Sequence, residues 1–210
     1  MAFPPRLALA TKNPGKVREI LRICAGWPVR WLVYEDDDPR WPDVEETGGT
    51  YLANALLKAR RVAEALGAPA LADDSGIEVD ALGGAPGPRS ARFAGERASD
   101  EDNLRLLIER IRGVPAERRT ARYRCVAACA WPAGPQSWSE GACEGLLVPE
   151  PRGTGGFGYD PIFVPVAQDG GAGRTMAELA PGEKDRISHR GSALRALGEA
   201  LSGEPVSGRG

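Results

Sequence analysis

The sequence has few of the features that mark membrane-spanning, secreted or zinc-binding proteins. Its longest purely apolar run, Cys125 to Trp131, has seven residues, far short of the roughly 20 that a membrane helix requires. Residues 1–10 hold two prolines and one arginine but no secretory apolar region, so we expect a cytoplasmic protein. Four cysteines without a C-x-x-C pair, beside a single histidine, argue against structural zinc and predict reduced, buried thiols.

Neither sign of charge dominates, since 27 Lys and Arg residues oppose 29 Asp and Glu residues for a net charge of -2. This balance excludes a general nucleic-acid binder, whose affinity rests on many Lys and Arg contacts. Any phosphate recognition must therefore be local. A chain of 210 residues buries roughly 70% of its extended surface on folding. We predict one domain over residues 1–201, or two closely joined lobes, and a flexible tail over residues 202–210.

Strand and helix patterns alternate along the chain, which predicts an α/β domain with a mixed sheet. Arg6–Ala10 reads as a strand, followed by a tight turn and a helix. Thr120–Trp131 and Ser137–Val148 read as a long antiparallel pair. Ala70–Ala72 reads as a short strand that ends at two acidic residues, and an extended pattern resumes at Ile77–Asp80.

The turn before the first helix resembles a P-loop but lacks two of its parts. Gly15-Lys16 lies between the strand and the helix, yet Ala10 stands where a P-loop has glycine, and Val17 stands where it has Ser or Thr. Backbone N–H groups at a helix start, with Asn13 and Lys16, would still suit a phosphate chain. The alternative is a simple capped helix start.

A glycine-rich loop, Gly153-x-Gly155-x-x-Gly158, matches the dinucleotide fingerprint as a string. The motif requires a helix after the glycines, but Pro161 opens a strand there, so a dinucleotide site is excluded. Phe157 is more informative, because a flexible loop that presents one aromatic ring can lay it on a nucleobase. The alternative is an ordinary glycine-rich turn.

Two acidic pairs predict a magnesium site: Glu45-Glu46, and Asp73-Asp74 at the end of the apolar strand. Magnesium prefers oxygen ligands and usually takes one or two carboxylates plus substrate phosphates. A carboxylate beside the metal could accept a proton from the attacking water. Both pairs could equally be solvated loop residues. The helix that Thr50 caps carries Asn54, Lys58 and Arg61 on one stripe. These three residues could point at one ligand, or they could form a solvated face.

Near the C-terminus, Lys184 precedes the pair His189-Arg190 at the start of a helix. A lone histidine is more often structural, but protonated histidine and arginine offer only hydrogen-bond donors. Such donors would fit a 6-oxo purine, which presents an acceptor at position 6, and would reject adenine, which presents an amino donor.

Five segments in this order resemble the inosine/xanthosine triphosphate pyrophosphatases of the Ham1 type, which act on non-canonical purine nucleotides. They are Leu9–Lys16, Glu45–Gly48, Ala72–Gly76, Gly155–Pro161 and Ile187–Gly191. The resemblance implies an elongated mixed sheet with flanking helices, and two lobes around a nucleotide-binding cleft. It implies Mg²⁺-dependent conversion of ITP, dITP or XTP to the monophosphate and pyrophosphate, which cleanses the nucleotide pool. It also implies a homodimer.

Residue roles follow from the same resemblance. The residues implied to hold the triphosphate are Thr11, Lys12, Asn13, Pro14, Gly15 and Lys16. Those implied to contact the substrate elsewhere are Ser75, Phe157, Gly158, Tyr159, Asp160, Lys184, His189 and Arg190, the last two at the base. The implied metal ligands are Glu45 or Glu46 together with Asp74, which is also the implied proton acceptor. Lys12 departs from the family pattern, in which a small residue is common.

Two other functions remain to be distinguished. A related Maf-like pyrophosphatase would act on pyrimidine or modified nucleotides, and the donor pair His189-Arg190 argues against it. A nucleotide-sensing or nucleic-acid-binding module without catalysis is opposed by the net charge of -2 and by the acidic pairs.

Overall fold

The computed structural model describes residues 2–35, 38, 40–167 and 173–203. Its strands are β1 (Arg6–Leu9), β2 (Arg30–Leu32), β3 (Ala70–Val79), β4 (Thr120–Ala130), β5 (Gln136–Leu147) and β6 (Phe163–Pro165). Its α-helices are α1 (Pro14–Ile23), α2 (Tyr51–Leu66), α3 (Asp100–Ile111), α4 (Pro181–Ile187) and α5 (His189–Ser202). Short 3₁₀ turns lie at Asp80–Leu82, Gly87–Arg92, Ala116–Arg118, Asp160–Ile162 and Met176–Glu178.

The strands form one six-stranded sheet in the order β2-β1-β3-β4-β5-β6. β1 pairs in parallel with β2 and with β3, whereas β5 and β6 pair antiparallel. The predicted mixed α/β sheet is therefore confirmed. β4 and β5 are neighbours joined by residues 131–135, a connection short enough only for an antiparallel pair.

Strand β3 differs from the prediction, because it runs without a break from Ala70 to Val79. The predicted end of the strand at Asp73 is wrong. Aspartate has a low propensity for strands. In β3, however, the Asp73 and Asp74 side chains form ion pairs with the largely buried Lys16 and Lys58, and these pairs compensate for the low propensity. Since successive side chains of a strand point to opposite faces, the Asp73 and Asp74 carboxylates lie on opposite faces of the sheet.

The chain divides into two compact units, each with its own core. Unit 1 comprises residues 1–74, 125–141 and 190–210, and unit 2 comprises residues 75–124 and 142–189. In unit 1, the helices α1 and α5 bury Ile20, Leu194 and Leu197 together with Leu9 of β1. In unit 2, a separate core contains Ile77, Leu107, Tyr123, Ile162 and Phe163. The cleft implied by the resemblance stays a prediction.

Helix caps follow the sequence closely. The Asn13 side chain accepts a hydrogen bond from the Lys16 backbone N–H, and Thr50 does the same for Ala53. Ser99 and Asp102 form a reciprocal capping box at α3, which satisfies two backbone donors. At the 3₁₀ turn Met176–Glu178, the Glu178 carboxylate accepts from the Thr175 backbone N–H at 2.7 Å. Residues 168–172, and residues 204–210 of the predicted tail, lie outside the described residues.

Two expectations from composition can be compared with the fold. All four cysteines are buried, which confirms the predicted burial of the thiols. Among the described residues, no helix has both the length and the apolar character of a membrane span.

Candidate functional site

The predicted phosphate loop connects β1 to α1 in unit 1. Thr11 Oγ1 accepts from the Asn13 N–H at 3.2 Å, and Asn13 Oδ1 accepts from the Lys16 N–H at 3.1 Å. Pro14 and Gly15 form the first turn of α1, which carries no acidic residue there. The positive end of the helix dipole is thus not neutralised by its own side chains. The Lys16 ammonium lies 3.1 Å from Asp73 Oδ2.

Lys12 behaves differently from Lys16. Its ammonium lies 2.6 Å from Asp43 Oδ1 and 4.7 Å from the centre of the Tyr34 ring. The hydrogen bond to Asp43 raises the pKa of Lys12. The Lys12 side chain is therefore occupied by protein groups within unit 1, whereas a phosphate contact for it stays a prediction.

Asp74 is the centre of a polar cluster in unit 1. Asn54 Nδ2 donates to Asp74 Oδ2 at 3.1 Å, and Lys58 Nζ donates to Asp74 Oδ1 at 3.0 Å. Lys58 Nζ also donates to Glu46 Oε1 at 2.7 Å. Asn54 is itself fixed, because its Oδ1 accepts from the Gly48 N–H at 2.8 Å. Asn54 and Lys58, two of the three residues of the predicted stripe on α2, thus both donate to the Asp74 carboxylate.

The third stripe residue, Arg61, is exposed, and we assign it no part in this cluster. Gly48 has no room for a side chain, because a Cβ there would lie 2.6 Å from Asn54 Oδ1. Gly48, two residues after Glu46, therefore allows Asn54 to pack against the backbone at this point.

Burial and charge oppose each other at Asp74. Burial raises the pKa of Asp74 above its ordinary value, although Lys58 and Lys16 act in the opposite direction. Burial alone would lower the pKa of Lys58, but Asp74 and Glu46 together raise it. The result is a carboxylate with increased basicity beside an ammonium group that stays charged.

The carboxylates of this cluster fit the needs of a magnesium ion. Glu46 and Asp74 both reach Lys58 Nζ, so their oxygens converge, whereas Glu45 is exposed. Asp73 Oδ1 is buried and has no hydrogen-bond partner among the described residues. No group of three or more His, Cys, Asp or Glu side chains within the described ranges forms a ready-made metal cage. Two carboxylates plus substrate phosphates are the usual magnesium set.

Asp73 belongs to a second ionic cluster of unit 1. Its Oδ2 accepts from Arg190 Nε and Nη2 at 3.1 and 3.0 Å, and Arg190 Nη1 lies 2.5 Å from Glu19 Oε2. The Arg190 residue is only 2% exposed. Its guanidinium therefore fixes α1, β3 and the start of α5 to one another. A contact of Arg190 with a base stays a prediction.

In unit 2, Asp160 binds two of the residues predicted to contact the substrate, Lys184 and Phe157. Its Oδ2 accepts from Lys184 Nζ at 2.6 Å and from the Phe157 N–H at 2.9 Å. The Lys184 ammonium also lies 5.1 Å from the centre of the Phe157 ring, within the range of a cation–π contact. The loop turns at Gly156, whose φ is +71°. A Cβ at Gly156 would overlap the Asp160 carboxylate, so only glycine fits.

Four further predicted residues belong to unit 2: Gly158, Tyr159, His189 and Ser75. The Gly158 N–H donates to Asp100 Oδ2 at 3.2 Å. Tyr159 is buried and its hydroxyl donates to the Ser90 carbonyl at 2.7 Å. The imidazole of His189 stacks on the Tyr123 ring, with centroids 4.5 Å apart and planes at 10°. Ser75 is half-buried in β3.

Sequence reasoning missed Glu19, Tyr123 and Asp100 as partners of these residues. Glu19 lies between Arg18 and Ile20 in α1, and neither neighbour marks a buried carboxylate. Tyr123 falls on the buried face of β4, where an aromatic side chain needs no further reason. Asp100 begins α3, where an acidic residue is common. Each acts through a contact distant in sequence, which local patterns do not reveal.

Comparisons with known proteins identify the family of this chain. A family model described as the Ham1 family matches residues 7–200. A dITP/XTP pyrophosphatase of Symbiobacterium thermophilum is 54% identical over 196 residues, covering 93% of this chain and 94% of that protein. A dITP/XTP pyrophosphatase of Geobacillus kaustophilus is 48% identical, covering 97% of each. The solved structure of a HAM1 protein from Coxiella burnetii superposes with a TM-score of 0.81 at 38% identity, covering 95% of this chain and 99% of that one. The chain belongs to the Ham1 family.

Proposed function

We propose that this protein is a nucleoside-triphosphate pyrophosphatase that hydrolyses ITP, dITP and XTP to the monophosphate and pyrophosphate. It would thereby remove non-canonical purine nucleotides from the precursor pool. Relatives named dITP/XTP pyrophosphatase support the reaction class. Within the structure, the observation that carries the proposal is the cluster of Glu46, Asn54 and Lys58 around the buried Asp74 carboxylate.

The start of α1 is the proposed triphosphate-binding element. Backbone N–H groups at a helix N-terminus attract anions, and Lys16 adds a charge. Asp73 holds that ammonium at 3.1 Å, which restricts the lysine before a substrate arrives. Because no covalent nucleophile is needed, positioning and electrostatic stabilisation would supply most of the rate.

Asp74 is the proposed proton acceptor. Burial raises its pKa, and a base works best when its pKa approaches the operating pH. The hydrogen bonds from Asn54 and Lys58 fix both carboxylate oxygens. Asp74 would take a proton from the water that attacks the α-phosphorus, while Lys58 keeps the surrounding charge balanced.

Glu46 and Asp74 would hold Mg²⁺ together with substrate phosphate oxygens. When bound, the ion would neutralise phosphate charge and polarise the phosphoryl oxygens. Asp73, whose Oδ1 has no hydrogen-bond partner in the described part of the chain, is a further candidate ligand.

Unit 2 would recognise the base. Phe157 offers a ring for stacking, and Lys184 lies over that ring with its ammonium held by Asp160. Lys184 would contact the substrate, and His189 would donate to the 6-oxo group of the base, which adenine lacks. The expected consequence is a preference for ITP, dITP and XTP over ATP.

The decisive experiment is product identification with ITP and Mg²⁺. We expect inosine monophosphate and pyrophosphate in equal amounts, whereas release of orthophosphate would refute the cleavage site. Asp74→Asn should lose roughly 100-fold or more of kcat yet still bind the nucleotide in calorimetry. Asp80→Asn makes the same chemical change at a surface ion pair with Arg122 and should retain its activity.

A substrate panel tests the base preference and the alternative function together. The panel compares ITP, dITP and XTP with ATP, GTP, UTP and TTP at one Mg²⁺ concentration. A clear preference for UTP or TTP would favour the alternative hypothesis of a Maf-like pyrophosphatase. Omission of Mg²⁺ should abolish turnover, and size-exclusion chromatography should show the homodimer that the family resemblance implies.

A further inference from the structure

Tyr123 of β4 occupies the middle of an aromatic column in unit 2. One side of its ring stacks on the His189 imidazole, with centroids 4.5 Å apart and planes at 10°. The Tyr123 ring also contacts the Phe163 ring, with centroids 4.6 Å apart and planes at 53°. Tyr123 is only 7% exposed, so the core around it restricts any movement of the ring.

The hydroxyl of Tyr123 extends this column into the polar cluster. It donates to Asp160 Oδ1 at 3.3 Å. The other oxygen of Asp160 binds Lys184 Nζ and the Phe157 N–H. One phenol side chain therefore links the plane of the His189 ring to the carboxylate that holds Lys184 and Phe157.

Rotation of a histidine ring about its last side-chain torsion is only weakly restricted by its own covalent structure. The direction in which the imidazole N–H groups point must come from its surroundings. A parallel stack at 4.5 Å supplies such a restriction, because tilting the imidazole would break contact with the Tyr123 ring. Aromatic pairs of this kind favour the paired arrangement by roughly 2- to 12-fold.

We propose that Tyr123 is a positioning residue for base recognition, which fixes the plane of His189 by stacking and anchors itself to Asp160 through its hydroxyl. This inference rests on the proposed function, in which His189 donates to a 6-oxo purine. Tyr123 touches no substrate in this role. It acts only through His189 and Asp160.

A direct test uses the fact that His189 is the single histidine of the chain. Its imidazole proton resonances need no assignment in a histidine-labelled sample. In the wild type, we expect them to be shifted upfield by the ring current of Tyr123. Tyr123→Leu should move them downfield, and Tyr123→Phe, which keeps the ring, should leave them near the wild-type position. Unchanged resonances in Tyr123→Leu would overturn the proposal, whatever the substrate proves to be.

A kinetic test separates positioning from simple destabilisation. Tyr123→Leu should raise KM for ITP roughly 2- to 12-fold, leave kcat largely unchanged and lower the preference for ITP over ATP. Tyr123→Phe should recover most of that preference. Leu107→Ala removes apolar volume from the same core and serves as the control. It should lower the melting temperature without changing the preference.

The outcomes distinguish this inference from the proposed function. If the wild type hydrolyses no ITP, the proposed function fails, whereas the resonance test still decides the geometry. If Tyr123→Leu and Leu107→Ala lose stability alike and both keep the wild-type KM and preference, Tyr123 is merely structural and the inference is refuted.

Discussion

Replacing Gly156 by alanine tests how the Phe157–Asp160 loop is held. Gly156 has a φ of +71°, in the left-handed region that costs an alanine about 1–2 kcal/mol. In addition, its Cβ would overlap the Asp160 carboxylate. Asp160 would have to move away from Lys184 Nζ, which it contacts at 2.6 Å in a buried pair.

The magnitude follows from these two contributions. Loss of a buried, charge-assisted hydrogen bond costs about 1.5–3 kcal/mol, so Gly156→Ala should lose roughly 2.5–5 kcal/mol in total. In a chain of this size, 1 kcal/mol shifts the melting temperature by about 2–4 °C. We expect a decrease of roughly 5–20 °C, measured by differential scanning calorimetry.

Gly83 provides a matched control in the same unit. Its φ is +64°, and a Cβ there would meet nothing within 4 Å. Gly83→Ala should lose only the stability that an alanine costs at a positive φ, so it should melt roughly 2–8 °C lower than the wild type. In the pyrophosphate assay, Gly156→Ala should also raise KM for ITP, while Gly83→Ala should not. Equal changes in both variants would refute the idea that the Asp160 carboxylate needs the space at Gly156.

Three further predictions concern unit 1 and the thiols. Burial alone would raise the pKa of Asp73, but Lys16 and Arg190 together hold it well below its ordinary value of 3.8. The ionised Asp73 carboxylate therefore stabilises the fold above pH 3.8, and this stabilisation is lost as the pH falls through its lowered pKa. In chemical denaturation, the free energy of unfolding of Asp73→Asn should therefore decrease less at acid pH than that of the wild type, and an equal decrease would contradict this. Lys12→Ala should raise KM for ITP far less than Lys16→Ala, because Lys16 lies in the first turn of the proposed triphosphate-binding helix, whereas Lys12 precedes that helix; similar increases would contradict this. Burial raises the pKa of all four thiols to about 12, so a thiol reagent at pH 8 should react slowly until denaturant is added, and rapid reaction of the native protein would disprove it.

Much of the fold could be predicted from the sequence because its signals are local. Asn13 and Thr50 each cap the helix that they were expected to cap. Alternation of apolar residues predicted β4 and β5 to within one residue at each end. These features depend on neighbours only a few positions away, which a sequence displays directly.

Other features could not be predicted, because distant residues determine them. Asp73 and Asp74 are unfavourable in a strand on propensity alone, and the distant cations Lys16, Arg190 and Lys58 compensate for them in the continuous β3. For the same reason, the pairing of Arg190 with Glu19 is invisible in the sequence, where the two residues are 171 positions apart.

The predicted site residues group as expected in part. Glu46, Asn54 and Lys58 meet at Asp74, although the sequence could not distinguish Glu46 from Glu45. Their spacing on α2 indicated a shared target but not its identity. Which residues contact the nucleotide stays a prediction.

The unbroken course of β3 restricts how this protein can change during evolution or engineering. Inserting or deleting a single residue upstream of Asp73 within the strand would exchange the sides on which the two carboxylates project. The carboxylate now beside Arg190 would then face Asn54 and Lys58, and its neighbour would face Arg190. Point substitutions can adjust either acid separately, but length changes in this segment should be tolerated only in steps of two residues.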